Sequence, residues 1–349
     1  MENVKGHRFL DASGDGAAWV QQLPAADQDV DVDNLNLFFK LMYERQEIWY
    51  KRSHLNQPAP WTENPILRDY KYTNVYRELD RASQWMIKNI LNDNSLTVVD
   101  LIWRIIIFRF FNQPDTFNHP QYAVELPHYD EFCPDKMWEQ VVTYREKVDN
   151  PWHTAYLMNI AFVKKPADWT GRGLFKDGAY VRFVFAKIHA AIPKLAITLI
   201  RAKRPEEIIA QLEKLPAVAG FQSHEFYVDF TYVARYWKKR IMKFNENDYT
   251  NVGPGASLGL RLIFPSLNPK EQKEGIYWLR DLSKEQLEQY GDFKYITWSR
   301  QFQKYTVYSG GSLTLHAMEM WLCEFSKYWK MLQQAGKQRS KFVAKTKIC

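Results

Sequence analysis

Cysteine is scarce: Cys133, Cys323 and Cys349 are the three in 349 residues. Far apart and odd in number, they exclude the disulfide framework of a small secreted domain and show no paired spacing for zinc. No secretory leader opens the sequence, so reduced thiols in a cytoplasmic setting are expected. Long apolar runs are lacking too. The most apolar, 101–111, is broken by Arg104 and Arg109 and falls short of the roughly 20 residues that a bilayer-spanning helix needs, so no membrane association is expected. Neither sign of charge dominates, since 47 Lys and Arg against 40 Asp and Glu leave a formal net charge of +7. That modest excess, with a pI near 9.0, suits a polyanionic partner without requiring one.

What is present points to a sizeable core. Hydrophobic residues make up 46% of the chain, enough for one large domain or two. Aromatic residues reach 15%, more than a core of this size needs, and surplus Trp and Tyr serve where nucleic-acid bases stack, although core packing is their commoner use.

Residues 1–33 are rich in Gly, Ala and Asp without sustained periodicity, which reads as a flexible acidic arm. From Leu35 the pattern turns helical, with Leu35, Phe38, Phe39, Met42, Ile48 and Trp49 on one face. Pro58-Ala59-Pro60-Trp61-Thr62 is a rigid connector. A helix capped by Thr73 or Asn74 is predicted next, with Val75, Leu79, Ala82, Met86 and Ile90 as its apolar stripe and Arg77, Asp80, Arg81, Gln84 and Lys88 on another face. The segment 96–112 is apolar nearly all round and should be a central helix, so Arg104, Arg109 and Asn112 need partners there. For Arg109 two roles are open: an ion pair with an acid such as Asp80, or projection into a ligand pocket. The block 34–336 is expected to form the helical domain, and 337–349 a basic tail.

The stretch 212–264, in a hairpin lobe of about 205–264, concentrates the functional signal. Leu212 and Leu215 close an apolar helical face, Pro216 stops it, and Ala217-Val218-Ala219-Gly220 turns the chain into a helix predicted over 222–236. A helix–hairpin–helix of this kind presents unpaired backbone amides at the start of its second helix, where one phosphate can sit. An αα-hairpin without a ligand is the plain alternative. Asp248 then precedes Gly253-Pro254-Gly255, a sharp turn able to bring amides close to an anion. Asp248 itself reads either as a functional carboxylate or as a turn or cap residue.

Several motifs occur in a fixed order: Glu44-Arg45-Gln46-x-Ile48, Pro60-Trp61-Thr62, Tyr72-Thr73-Asn74-Val75-Tyr76-Arg77-x-x-Asp80-Arg81, Phe108-Arg109-x-Phe111-Asn112, Ala155-Tyr156-x-Met158, the hairpin, Gly253-Pro254-Gly255-Ala256-x-x-Gly259-Leu260 and Leu322-Cys323-Glu324-Phe325-x-Lys327-Tyr328. In this order they resemble the phage α-glutamyl/putrescinyl thymine pyrophosphorylases, a DNA base hypermodification family that includes amino acid:DNA transferases. The resemblance covers about residues 35–335. It departs from the family where Ala217 and Ala219 replace hairpin glycines, at Ser326, and over 119–150, where no motif is placed.

The resemblance implies a mostly α, two-lobed fold similar to the helix–hairpin–helix DNA glycosylases, and an enzyme in the cytoplasm of an infected bacterial host. Its substrates would be DNA carrying 5-pyrophosphoryloxymethyl-deoxyuridine, made by an upstream hydroxymethyluracil DNA kinase, and an amino acid or polyamine. Displacement at the exocyclic methylene needs positive charge for the departing pyrophosphate, a carboxylate to take the proton, and exclusion of water. Candidates for the pyrophosphate are Arg77, Arg81, Arg109, Asn74, Asn112, Gly253 and Gly255; for proton transfer or amine binding, Asp248 and Asp229. Ala217, Ala219, Gly220, Lys238 and Lys239 would meet the DNA backbone, and Trp61 or Tyr72 would stack on an extruded base. No cofactor is required and no metal site is seen; Mg²⁺ is a candidate companion of the pyrophosphate. A base-excising glycosylase and a non-catalytic DNA-binding scaffold remain alternatives.

Overall fold

Helix starts follow local chemistry in a computed structural model of the chain, which describes residues 4–5, 29–153, 175–237, 239–299, 304–334 and 341–342. In chain order the helices are α1 (Val32–Trp49), α2 (Pro65–Asp69), α3 (Arg81–Met86), α4 (Val98–Phe111), α5 (Pro114–Asn118), α6 (Pro134–Lys147) and α7 (Phe175–Gly178). There follow α8 (Phe185–Arg201), α9 (Pro205–Leu212), α10 (Gly220–Tyr236), α11 (Pro254–Ile263), α12 (Gln272–Glu288) and α13 (Leu315–Leu332). Five of them, α2, α5, α6, α9 and α11, open on a proline, whose fixed φ suits the first helical position and whose missing N–H costs nothing there. Among the described residues the strands are two short antiparallel pairs, β1 (Val4–Lys5) with β2 (Asp29–Val30) and β3 (Tyr295–Ser299) with β4 (Lys304–Tyr308). The fold is mostly α.

The chain divides into two units, one of residues 1–79 and 250–349, the other of 80–249. The boundary at Tyr249 falls inside 205–264, so the hairpin and Asp248 belong to the second unit, and Gly253 and Gly255 to the first.

In the first unit, α1 buries Leu35, Phe38, Phe39, Met42, Ile48 and Trp49, the face its spacing predicts. Its packing partners include α11, α12 and α13. The approach of α11 to α13 depends on two glycines. A Cβ on Gly255 would lie 2.4 Å from Cys323 Sγ, and one on Gly259 would lie 2.3 Å from the Leu322 carbonyl oxygen.

The second unit is built on α4. Thr97 caps it: Thr97 Oγ1 accepts from the Asp100 amide at 3.1 Å and Asp100 Oδ2 from the Thr97 amide at 3.1 Å. Asn112 ends it in the left-handed region at φ 46°. From Asp100 to Asn112 every residue except Arg104 is buried. Both α8 and α10 pack on α4.

Two expectations change, and one unassigned region gains a helix. No helix starts at Thr73 or Asn74: those residues lie in an extended and turning segment, a single 3-10 turn covers Arg77–Leu79, and α3 begins after Asp80. The backbone there is taken up by tertiary contacts, because the Asn74 carbonyl accepts from Trp321 Nε1 at 3.2 Å and its Oδ1 from Arg45 at 2.6 Å. The unassigned region 119–150 contains α6. Among the described residues an apolar helical stretch longer than 101–111 is present: 180–201 spans 22 residues and meets the length and composition of a membrane span. Its stripe Val184, Phe185, Ile188, Ile192, Leu195 and Leu199 is buried in the unit, while Ile197 and Ile200 face out.

Candidate functional site

Two clusters gather the candidate residues, one in each unit. In the 80–249 unit, Arg109 on α4 and Asp229 on α10 form a bidentate pair, Nε to Oδ2 at 2.6 Å and Nη2 to Oδ1 at 2.9 Å. The other donors of the guanidinium reach Asn112 Oδ1 at 3.0 Å and Ser83 Oγ at 2.9 Å. Both side chains are excluded from solvent, at 2% and 0% exposure, so the pair survives only because each charge meets the other in a hydrogen-bonded fork. The partner of Arg109 is therefore Asp229 and not Asp80. The structure brings together Arg109, Asn112 and Asp229, and in this arrangement the carboxylate joins α10 to α4.

A turn of residues 213–219 joins α9 to α10. Ala217 takes φ +61°, a left-handed conformation that glycine enters without strain and that costs an alanine about 1–2 kcal/mol. Ala219 is the N-cap and Gly220 the first residue of α10. The Ala219 amide already donates to Gln222 Oε1 at 3.4 Å, a long bond that a phosphate oxygen could replace. Lys239 is exposed, and Lys238 lies outside the described residues, as do Ala155-Tyr156-x-Met158. Asp248 sits in an exposed turn, its Oδ2 accepting from the Asn245 amide at 2.7 Å. Arg81 is exposed and paired with Asp115.

In the other unit four of the motifs converge. Arg45 of α1 donates to Asn74 Oδ1 and to the Tyr72 carbonyl, the latter at 3.3 Å. Asn64 Nδ2 donates to Glu44 Oε2 at 3.0 Å and to the Tyr328 hydroxyl at 3.1 Å, and Tyr328 lies 6.2 Å from the ring of Tyr72. Gln46 Nε2 donates to the Lys294 carbonyl at 2.7 Å. Burial comes first in raising the Tyr328 hydroxyl above its ordinary pKa, against the lowering bond with Asn64. Arg77 is buried here.

Gly253 and Gly255 are placed differently from their proposed anion turn. The Gly253 amide donates to Glu319 Oε1 at 3.3 Å, so an anion would first have to displace a carboxylate, and Gly255 faces Cys323. Tyr72 is buried. Trp61 is half-buried, its Nε1 bonded to the Gln57 carbonyl at 2.8 Å and its ring covered by the Arg52 guanidinium at 5.4 Å. A surface groove of about 610 Å³, missed in the sequence, runs between the end of α1 and the β3–β4 hairpin and presents Tyr50, His54, Lys304 and Tyr308. Tyr50 and His54 stack at 5.0 Å and 17°. The signal available was the Lys-Tyr-x-x-Tyr alternation of β4.

A mostly helical protein with its polar motifs gathered on a helical scaffold is the class these observations define. Compared with known proteins, residues 33–338 match the family described as "5-hmdU DNA kinase, helical domain". The chain belongs to that family. A relative named 5-hmdU DNA kinase, from Bacillus phage SP10, is 27% identical over 299 residues, which is 84% of this chain and 44% of the relative. The chain thus spans less than half the length of that relative. No solved structure matches.

Proposed function

We propose that the protein acts in phage thymine hypermodification as a DNA-modifying transferase, joining an amine to 5-pyrophosphoryloxymethyl-deoxyuridine in DNA. The observation that carries this reading is the match of residues 33–338 to a helical-domain family named for a DNA kinase of the 5-hmdU base, together with the ordered motifs. In the reaction the amine nitrogen forms a bond to the exocyclic methylene carbon, the carbon–oxygen bond to pyrophosphate breaks with its electron pair leaving on pyrophosphate, and the nitrogen gives up a proton. Mg²⁺ would arrive with the pyrophosphate as part of the substrate.

Roles follow from which side chains are uncommitted. Asp248, exposed and bonded through one oxygen only among the described residues, is the carboxylate assigned to the proton. Arg81 is assigned to the pyrophosphate, because its surface pair with Asp115 is worth at most about 1 kcal/mol and exchanges readily. Asp229, with Arg109, positions the hairpin helix. The start of α10 and Lys239 would hold the DNA backbone, with an affinity that falls steeply as salt rises.

A phosphoryl-transfer reading is the alternative, drawn from the relative's name. Against it, the one Gly-Lys pair in the sequence, Gly336-Lys337, is followed by Gln338, so no Gly-x-x-x-x-Gly-Lys-Ser/Thr phosphate loop is present. Mass spectrometry of nucleosides separates the readings after incubation with pyrophosphoryloxymethyluracil DNA and an amine pool, or with hydroxymethyluracil DNA and ATP. An amine adduct supports the transferase; a free base indicates a glycosylase; a phosphorylated nucleoside indicates a kinase. An unchanged nucleoside pool overturns all three and leaves a binding scaffold.

A further inference from the structure

Arg104 is the exception in a buried helix, half-exposed where its neighbours from Asp100 to Asn112 are packed away. Its side chain lines a cleft of about 610 Å³ in the 80–249 unit. Among the described residues its hydrogen bond is from Nε to the Pro127 carbonyl at 3.3 Å, which orients the guanidinium and leaves both Nη groups without a protein acceptor. Asp93 feels its charge: a hydrogen bond from Ser95 comes first in holding that carboxyl below the ordinary carboxylate range, with Arg104 contributing at longer range.

The same cleft contains one uncommitted carboxylate. Glu131 is exposed, and its hydrogen bond among the described residues is a long one, 3.4 Å from the His128 amide to Oε2. The remaining charges of the lining neutralise each other, since Lys136 Nζ lies 2.7 Å from Glu125 Oε2. The apolar wall is rigid. Trp85 stacks on Phe108 at 4.6 Å and 15°, is pinned by its Nε1 to Asn118 Oδ1 at 2.8 Å, and adjoins Phe117 at 5.2 Å.

A guanidinium with two free Nη groups, a free carboxylate and an aromatic wall complement a small zwitterion with an apolar body. The planar fork of arginine matches a carboxylate in a way that a lysine would not. Glu131 would take the ammonium group, and Trp85 with Phe117 the side chain. We propose that this cleft binds a free α-amino acid with an apolar side chain. A polyamine, which carries no carboxylate, does not fit it. The proposal deepens the transferase reading, under which the bound amino acid is the amine donor, but binding itself does not depend on transfer.

The test is isothermal calorimetry on the full chain with L-leucine and L-phenylalanine, compared with leucinamide and putrescine. Saturable binding of both amino acids is expected, with leucinamide and putrescine at least about tenfold weaker, the equivalent of about 1.4 kcal/mol for the carboxylate contact. Arg104→Met should lose at least the same factor and no longer distinguish leucine from leucinamide. Glu131→Gln, an exposed change that leaves the helix core untouched, should weaken leucine binding even if Arg104→Met fails to fold. No binding at millimolar amino acid, equal affinity for leucinamide, or Glu131→Gln binding at the parental affinity would each overturn the proposal. Binding without any nucleoside adduct keeps the site and overturns the transferase; an adduct formed at the parental rate by Arg104→Met overturns the site and keeps the transferase.

Discussion

Replacing Asp229 by Asn tests the claim that this carboxylate is structural as well as electrostatic. The substitution keeps the shape of the side chain and one acceptor, but leaves the Arg109 guanidinium as a buried cation whose oxygen partners, that retained acceptor with Asn112 and Ser83, are all neutral. Breaking a buried pair from one side typically costs about 3–5 kcal/mol, because the orphaned charge keeps its desolvation penalty without its attraction. That is a large fraction of the ~5–15 kcal/mol that holds a domain together. Both side chains are almost fully excluded from water, so the upper half of the range is expected. Urea unfolding followed by the fluorescence of Trp85 and Trp103 in the same unit is the assay, read as a fall in midpoint at unchanged slope. The double replacement Arg109→Met with Asp229→Leu removes both charges at similar volume and should recover most of the loss. If Asp229→Asn stays within about 0.5 kcal/mol of the parent, the size of a surface substitution, the buried fork does not exist as described.

Gly259→Ala should destabilise the other unit by about 1–3 kcal/mol or more, since its new methyl meets the Leu322 backbone, which cannot rotate away; thermal melting reads it. Gly255→Ala should be equally damaging alone, but partly rescued by Cys323→Ala, because the clash there is chiefly with Sγ. Burial raises the Cys323 thiol pKa despite the lowering influence of Lys327, so at neutral pH iodoacetamide should label exposed Cys133 well before Cys323, as peptide mass spectrometry would show. For Asp100, burial raises the carboxyl pKa, but bonds from Thr97 and Tyr129 outweigh it and hold the group below the ordinary value. Its contribution is thus fully present above the unfolded carboxylate pKa and lost as pH falls through the folded one; Asp100→Asn should cost about 1 kcal/mol at pH 7 and progressively less in acid titrations of stability.

Much of the scaffold was legible because local rules and tertiary demands agree there. The all-round apolar segment ending at Asn112 reads as a central helix, and Thr97, Asp100 and a left-handed asparagine supply its ends. The face of α1 follows from spacing alone. The helix expected from Thr73 failed because propensity competes with distant partners: Arg45 and Trp321 take up Asn74, the latter 247 residues away in sequence. Arg109 announced that it needed an acid but not which one, since Asp229 stands 120 residues along and Asp80 is the nearer guess. Glycine posed a different ambiguity. Gly253-Pro254-Gly255 supplies small residues without saying whether conformational freedom or small size is in use; here φ at Gly253 is −71°, an ordinary value, and at Gly255 and Gly259 it is size.

The convergence of the motifs has a further consequence. Gly253–Leu260 and Leu322–Tyr328 are two sides of one helix contact, and Glu44–Ile48 and Tyr72–Asn74 meet through Arg45 and Asn74. Residues that hold one another are constrained by packing and hydrogen bonding before any substrate binds. An ordered set of such motifs therefore marks a shared scaffold strongly and a shared reaction weakly, since chemistry is grafted onto a fold by side chains the fold does not consume. Among the described residues, the side chains proposed above for binding and proton transfer, Arg81, Arg104, Glu131, Lys239 and Asp248, are of that kind, each exposed or half-exposed and none buried in a paired network. Substitutions there should change binding or rate while leaving the unfolding midpoint in place, whereas substitutions at Arg109, Asp229 or Gly259 should move the midpoint first and activity as its consequence.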